Sequence, residues 1–171
     1  MIRNGVGGAN TITGAVFEEK TNLEKALLKI NGITIVGVDV FKKGVHIGML
    51  LQKHKLYKNF LEKRNVNWKS IVSSKILPDD AYFSIATNKL TVIEKKYQNG
   101  NGSVDEKLQT CAFKLRQYRR LCASLPDVTV DYMYVLNDWF EGKKYTDVLA
   151  YIEEIGCSYC INELPLAKLG F

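Results

Sequence analysis

The chain is poor in the soft ligands that bind structural metals. It has two histidines, His46 and His54, and four cysteines, Cys111, Cys122, Cys157 and Cys160. Only Cys157 and Cys160 stand as C-x-x-C. A zinc ribbon needs a second such pair or suitably spaced histidines, and both histidines lie far back in the chain. A redox C-x-x-C sits at the strand-to-helix turn of a thioredoxin-like unit, whereas this one is near the C-terminus. The four thiols are therefore expected to be reduced and half-buried. No apolar run is long enough to span a bilayer and no signal-peptide pattern is present, so a cytoplasmic protein with no membrane partner is expected. There is no G-x-x-x-x-G-K-[ST], which excludes a P-loop. Internal repeats, low-complexity tracts and interdomain linkers are also lacking.

What is present is ordinary in bulk and basic in balance. A length of 171 residues suits one domain, spanning 1–171, with a sizeable core. The composition, 46% hydrophobic and 25% charged, is that of a globular protein. The net charge of +6 and pI of about 9.1 permit a polyanionic partner, because Lys and Arg release counterions from phosphates.

Taken in order, residues 3–18 read R-N-G-V-G-G-A-N-T-I-T-G-A-V-F-E. The glycines allow backbone to approach a ligand closely, or the segment is a flexible lead. Asn10, Thr11 or Thr13 can cap a helix from about Ala15 to Ile30, with Val16, Leu23, Leu27 and Ile30 on one buried face. Asn31-Gly32 ends it. Ile33 to Phe41 is apolar and β-branched, Lys42-Lys43-Gly44 makes a turn, and Val45 to Leu51 is a second run of strand or helix type. From Lys53 to Lys69, basic residues alternate with Tyr57, Phe60 and Trp68. That mixture suits a nucleic-acid surface; it equally suits a solvated face whose aromatics fill the core.

The stretch from Leu77 to Thr110 carries the chemistry. Ala81 to Ala86 and Leu90 to Ile93 are β-rich runs around a short polar turn, which predicts a hairpin. Side chains alternate across a strand, so Glu94 and Lys96 share a face and Lys95 takes the other. Asp79, entering beside them after Pro78, can converge with Glu94 and Lys96. Two carboxylates suit Mg²⁺, which keeps its remaining positions for water and a substrate phosphate. A neighbouring lysine can orient water and stabilise developing negative charge.

Ser103 and Glu106 form a capping box ahead of a helix from Val104 to Ser124. Val128 to Leu136 reads as a long strand. Strand, helix, strand in that order predicts a right-handed crossover and a parallel pair. A helix from Thr146 to Ile155 ends at Gly156, and the tail reads as packing. The fold class expected is α/β, a central mixed β-sheet flanked by helices.

Pro78-Asp79, followed one hairpin later by Glu94-Lys95-Lys96, resembles the PD-(D/E)XK nuclease superfamily, and within it the type II restriction endonucleases. The block G-S-V-D-E-K-L-Q-T (Gly102–Thr110), the N-terminal run G-G-A-N-T-I-T-G-A-V-F-E and the tail G-C-S-Y-C-I-N-E-L-P-L-A-K-L-G-F are similar to segments of the same enzymes. The resemblance implies a restriction-endonuclease-like fold and Mg²⁺-dependent hydrolysis of double-stranded DNA at a specific sequence, leaving 5′-phosphates. It assigns Asp79 and Glu94 as metal ligands and Lys96 as the catalytic lysine. Asp80 is an alternative to Asp79, and Glu18 on the first helix an additional ligand. Asn10, Thr11, Lys42, Lys43, Asn99, Asn101, Lys107 and Gln109 are candidates for DNA contact. A homodimer is expected on a palindromic target, as is a DNA methyltransferase that acts on the same site without needing to bind the enzyme. The rival readings are a structure-specific repair or junction-resolving nuclease and a non-catalytic basic DNA-binding module.

Overall fold

A computed structural model describes residues 12–100 and 104–171. Among the described residues seven strands form one sheet in chain order. They are β1 (Ile33–Val36), β2 (Asp39–Lys42), β3 (Val45–Leu50), β4 (Asp80–Ser84), β5 (Lys89–Lys96), β6 (Thr129–Leu136) and β7 (Ser158–Ile161). Neighbours from β1 to β5 are antiparallel, and β5–β6 and β6–β7 are parallel. The change follows from the connections. Tight turns, as in β1–β2, β2–β3 and β4–β5, can only join antiparallel strands, and a parallel pair needs a crossover; β3 reaches its antiparallel neighbour β4 by the long segment 51–79. Three helices supply the two crossovers: α3 (Val104–Leu108) and α4 (Cys111–Cys122) between β5 and β6, and α5 (Thr146–Glu154) between β6 and β7. The α/β class, the β4–β5 hairpin and the parallel β5–β6 pair agree with expectation. Among the described residues no helix is long and apolar enough to cross a membrane.

Strand β5 is the centre. Leu90 to Glu94 are all buried, with no polar alternation, as required of a strand covered on both faces. On one face Leu90, Val92, Tyr132 and Tyr134 pack with α4, with α5 and with a wide helical turn at Leu56–Leu61. On the other, Ile93, Val135, Leu50 and Tyr82 pack with Phe17, Leu23 and Leu27 and with the C-terminal Leu169.

Four expectations are corrected. The single helix from Ala15 to Ile30 is two, α1 (Ile12–Lys20) and α2 (Leu23–Leu28). Asn22 breaks it by accepting the Lys25 N–H at 2.9 Å, which caps a new helix. The helix from Val104 to Ser124 is α3 and α4, interrupted where the Thr110 hydroxyl donates to the Lys107 carbonyl at 2.7 Å; Ser103 of the capping box lies outside the described residues. The run from Ile33 to Phe41 is the β1–β2 hairpin, because Gly37, at φ +66°, opens a tight turn in its middle. The tail adds a strand, β7, whose four residues are all half-buried and so show no alternation.

Gly48 in β3 faces the Tyr82 hydroxyl and the Phe83 carbonyl so closely that a Cβ has no room. The Tyr82 ring is fixed by packing on Phe171, and burial pushes its phenol up to about 12. Gly48→Ala is expected to destabilise the protein by about 1–3 kcal/mol. Urea unfolding reads this as a lower midpoint at unchanged slope; an unchanged midpoint would show that the β3–β4 contact is looser than described.

Candidate active site

Strand β4 begins at Asp80, paired with Ile93, so Glu94, Lys95 and Lys96 run on past it, still paired to β6. Pro78-Asp79 enters at this bare end. The Asp79 carboxylate accepts the Lys95 N–H at 2.8 Å, replacing the missing ladder partner and fastening the loop to β5. Asn137, the residue after β6, extends the lock: its side chain accepts the Gln98 N–H at 3.0 Å and donates to the Gln98 carbonyl at 2.9 Å.

Alternation then divides the acids between the faces of the sheet. Glu94 follows Val92 onto the α4 side and is only 6% exposed. Its Oε1 accepts from Lys96 Nζ at 2.8 Å and from Lys114 Nζ, on α4, at 2.7 Å. Its Oε2 is buried with no hydrogen-bond partner among the described residues. Burial alone raises the Glu94 carboxyl, but Lys96 and Lys114 outweigh it and hold the group below its ordinary range. Asp79 goes the other way. Burial raises it first and the Glu94 charge second, against the Lys95 N–H and the lysine charges. The two carboxylates are therefore electrostatic neighbours with opposite shifts.

Asp80 separates cleanly from Asp79. It is fully buried and on the opposite face, where its Oδ1 accepts from Gln52 and its Oδ2 lies 2.5 Å from Lys95 Nζ. Asp80 is thus already engaged, and Lys95 with it. A cleft of about 580 Å³ opens at this end of the sheet. It is lined by Asp79, Lys95 and Lys96, by Gln52 and Lys53 after β3, and by Glu18 of α1. Glu18 is exposed on the cleft wall; its neighbour Glu19 is paired with Lys25 at 2.6 Å.

Among the described residues no group of three His, Cys, Asp or Glu side chains stands together as a ready metal cage. The donor set nonetheless fits a hard cation of the Mg²⁺ kind, which takes one or two carboxylates and otherwise water and phosphate. The specific observation is the bare Oε2 of Glu94. A buried ionised oxygen without a donor is costly until something positive takes it.

The other sequence candidates scatter. Lys42 ends β2, paired with Val45, and Lys43 sits in the β2–β3 turn, both at the far end of β3 from the cleft. Asn99 is exposed just beyond β5, and Lys107 and Gln109 are exposed on and after α3. Gln109 borders a second cavity, about 590 Å³, with Glu106, Lys144, Tyr145 and Tyr151. Asn10, Thr11 and Asn101 lie outside the described residues. The aromatics of the basic segment turn inward: Tyr57 and Phe60 are fully buried, Trp68 packs edge-on against Tyr57, and Arg64 covers Phe60 at 4.1 Å. They fill the core and offer no stacking platform. All four cysteines are free; Cys111, Cys122 and Cys157 are buried outright, and only Cys160 is half-buried. The residue missed from sequence is Lys114. Its signal was present, since it lies three residues after Cys111 and four before Tyr118, on the flank of the buried stripe of α4.

No family model, curated protein or solved structure matches the chain.

The shifts at Asp79 and Glu94 have opposite consequences for acid stability. Glu94, depressed, stabilises the fold above its ordinary value of 4.5, and this is lost as pH falls through its lowered pKa. Asp79, raised, destabilises it; the cost grows as pH rises through the ordinary value of 3.8 and is complete above the raised one. Asp79→Asn keeps an acceptor for the Lys95 N–H and removes the charge. It is expected to raise the thermal midpoint at neutral pH by on the order of 3 °C. The gain should vanish below pH 3.8, where Asp79 is protonated in both states. Differential scanning calorimetry across pH checks it, and a destabilised variant at neutral pH would contradict the assignment.

Proposed function

We propose that this protein is a Mg²⁺-dependent endonuclease of the PD-(D/E)XK superfamily, a type II restriction enzyme that hydrolyses phosphodiester bonds in double-stranded DNA at a specific sequence. One observation carries the reading: Asp79, Glu94 and Lys96 meet at one end of the central strand, with a buried Glu94 oxygen left without a donor. The order of elements supports it as well. A helix precedes a mixed sheet, a hairpin delivers the acids, and a crossover helix leads to a parallel strand, consistent with a restriction-endonuclease-like fold.

In this reading Asp79 and Glu94 hold Mg²⁺, and Glu18, which lines the cleft with Asp79, is the candidate further carboxylate. When bound, the ion polarises a phosphoryl oxygen and lowers the pKa of its water. The protein's own groups do the rest. Lys96 stands 2.8 Å from Glu94 and only 17% exposed, in place to orient the attacking water and to stabilise negative charge developing at phosphorus. Glu94 stays ionised at neutral pH because two ammonium groups offset its burial. Lys95, tied to Asp80 behind the sheet, keeps the strand end in one position. Lys53 is exposed at the cleft and is the lysine we assign to phosphate contact, with Asn99, Lys107 and Gln109 kept as exposed candidates for DNA contact outside the cleft lining. Lys42 and Lys43 drop out of that set. A homodimer suits a palindromic target, with a methyltransferase of the same specificity protecting the host DNA in the cytoplasm.

The test is digestion of a long unmethylated DNA by the purified protein, in Mg²⁺ and in EDTA, beside Glu94→Ala and Lys96→Ala. Discrete fragments that need Mg²⁺ are expected, with each variant slower by about 10²-fold or more. A smear, or cutting confined to branched DNA, would transfer the site to a repair or junction-resolving nuclease. DNA binding with no cleavage would leave a basic binding module. Cutting that survives Lys96→Ala would mean the catalytic lysine is misassigned.

A further inference from the structure

The strongest feature left over is the second lysine on Glu94. Lys96 belongs to the strand that carries Glu94; Lys114 reaches the same oxygen from a different element, α4. Two ammonium groups on one carboxylate oxygen are more than solvation of that oxygen requires. They become intelligible when the whole site is counted. Asp79 and Glu94 contribute two negative charges and Lys96 and Lys114 two positive ones, so these four sum to zero (−2 + 2) with no ion bound; the other charges at the cleft cancel separately, Lys95 against Asp80, Glu19 against Lys25 and, in the count, Lys53 against Glu18. A divalent cation added to this set leaves an excess of two positive charges in a half-buried cleft, where repulsion is weakly screened. The set relaxes most cheaply if one ammonium returns to water. Lys96 lines the cleft beside Asp79 and is 17% exposed; Lys114 is not among the cleft's lining residues and is 23% exposed, so it is the ammonium that can turn to water without disturbing the cleft's own wall.

We propose that Lys114 is a resident counterion of Glu94 that competes with the divalent cation and swings out to solvent when the cation binds, setting the metal concentration at which the site loads. This rests on the nuclease reading and assigns Lys114 as a positioning residue acting through Glu94. It explains how a nearly buried, ionised glutamate survives in the metal-free protein without collapsing onto Lys96 alone. It also predicts the opposite sign from a merely supportive contact. A supporting residue, once removed, weakens metal binding; a competing counterion, once removed, strengthens it.

The experiment measures Mn²⁺ binding to the full chain without DNA, by calorimetry, for the wild type, Lys114→Met and Lys114→Arg. The Met variant keeps the apolar stem and loses the charge. Its dissociation constant is expected to fall about 4- to 10-fold, the effect of removing one unit charge a few ångströms away in a wet cleft. The Arg variant should stay near wild type. In the nuclease assay the Mg²⁺ concentration for half-maximal cleavage should fall in parallel for the Met variant. A second measurement uses the unmodified protein, so it stands whether or not the variants fold. Acylation of Lys114 by a succinimidyl ester, followed by peptide mass spectrometry, should become faster when Mn²⁺ is added. Mn²⁺ affinity unchanged or weakened in Lys114→Met, or Lys114 acylation unchanged or slowed by Mn²⁺, overturns the counterion role and leaves the nuclease reading intact. No Mn²⁺ bound by any of the three proteins overturns both.

Discussion

The region around the cleft depends on one constraint: an ionised glutamate must be kept at the end of the central strand while almost wholly out of water. Removing a carboxylate from water costs several kcal/mol unless charge and hydrogen bonds replace its hydration. Here two lysines meet that cost from two elements, β5 and α4. The α4 helix is therefore fixed to the sheet twice, by the apolar contacts of Leu115, Tyr118 and Cys122 and by the Lys114–Glu94 pair. A change that shifts α4 moves the electrostatics of Glu94 with it.

The same strand end serves two carboxylates in two ways, and the pleat of the sheet separates them. Behind the sheet, Asp80 accepts a hydrogen bond from Gln52 through Oδ1, and its Oδ2, which has no hydrogen-bond partner among the described residues, is neutralised by the Lys95 ammonium. In front, Glu94 keeps one oxygen uncommitted. The rear pair is structural cement joining β4, β5 and the segment after β3. The front pair retains reactivity. Both need β5 to extend straight past the start of β4, and the parallel pairing with β6 together with the Asn137–Gln98 lock holds it there.

Beneath Glu94 lies a layer of buried tyrosines, Tyr118, Tyr132 and Tyr134. Their rings meet at centroid distances of 6.4 and 5.3 Å. Burial, and secondarily the Glu94 charge for Tyr118 and Tyr132, pushes these phenols well above their ordinary value of 10.0. They remain neutral and polar at working pH. The Tyr134 hydroxyl donates to the Lys107 and Leu108 carbonyls at 3.2 Å, tying the end of α3 over β6. A floor of neutral hydroxyls and apolar rings gives the carboxylates a low-dielectric support on which neighbouring charges act strongly.

Much of this was legible in the amino-acid order, because turns, caps and periodicity are local. The β4–β5 run, the strand from Val128 to Leu136, the α5 helix and the shared face of Glu94 and Lys96 all follow from short patterns of a few residues. Asn22 and Gly37 were local signals too, overridden in reading by the apolar runs that contain them. What the sequence alone left open is of a different kind. Whether Asp79 or Asp80 faces Glu94 depends on the register of one hairpin, since a step of one residue sends a side chain to the other face of the sheet. That Lys42 and Lys43 end far from the cleft depends on which way β3 runs. That Lys114 shares a carboxylate with Lys96, 18 residues away in the chain, depends on how α4 packs across β5 and β6. Local patterns specify which elements form and which of their faces are apolar. Only the packed sheet decides which charges then meet, because contacts between distant segments exist only after both are folded.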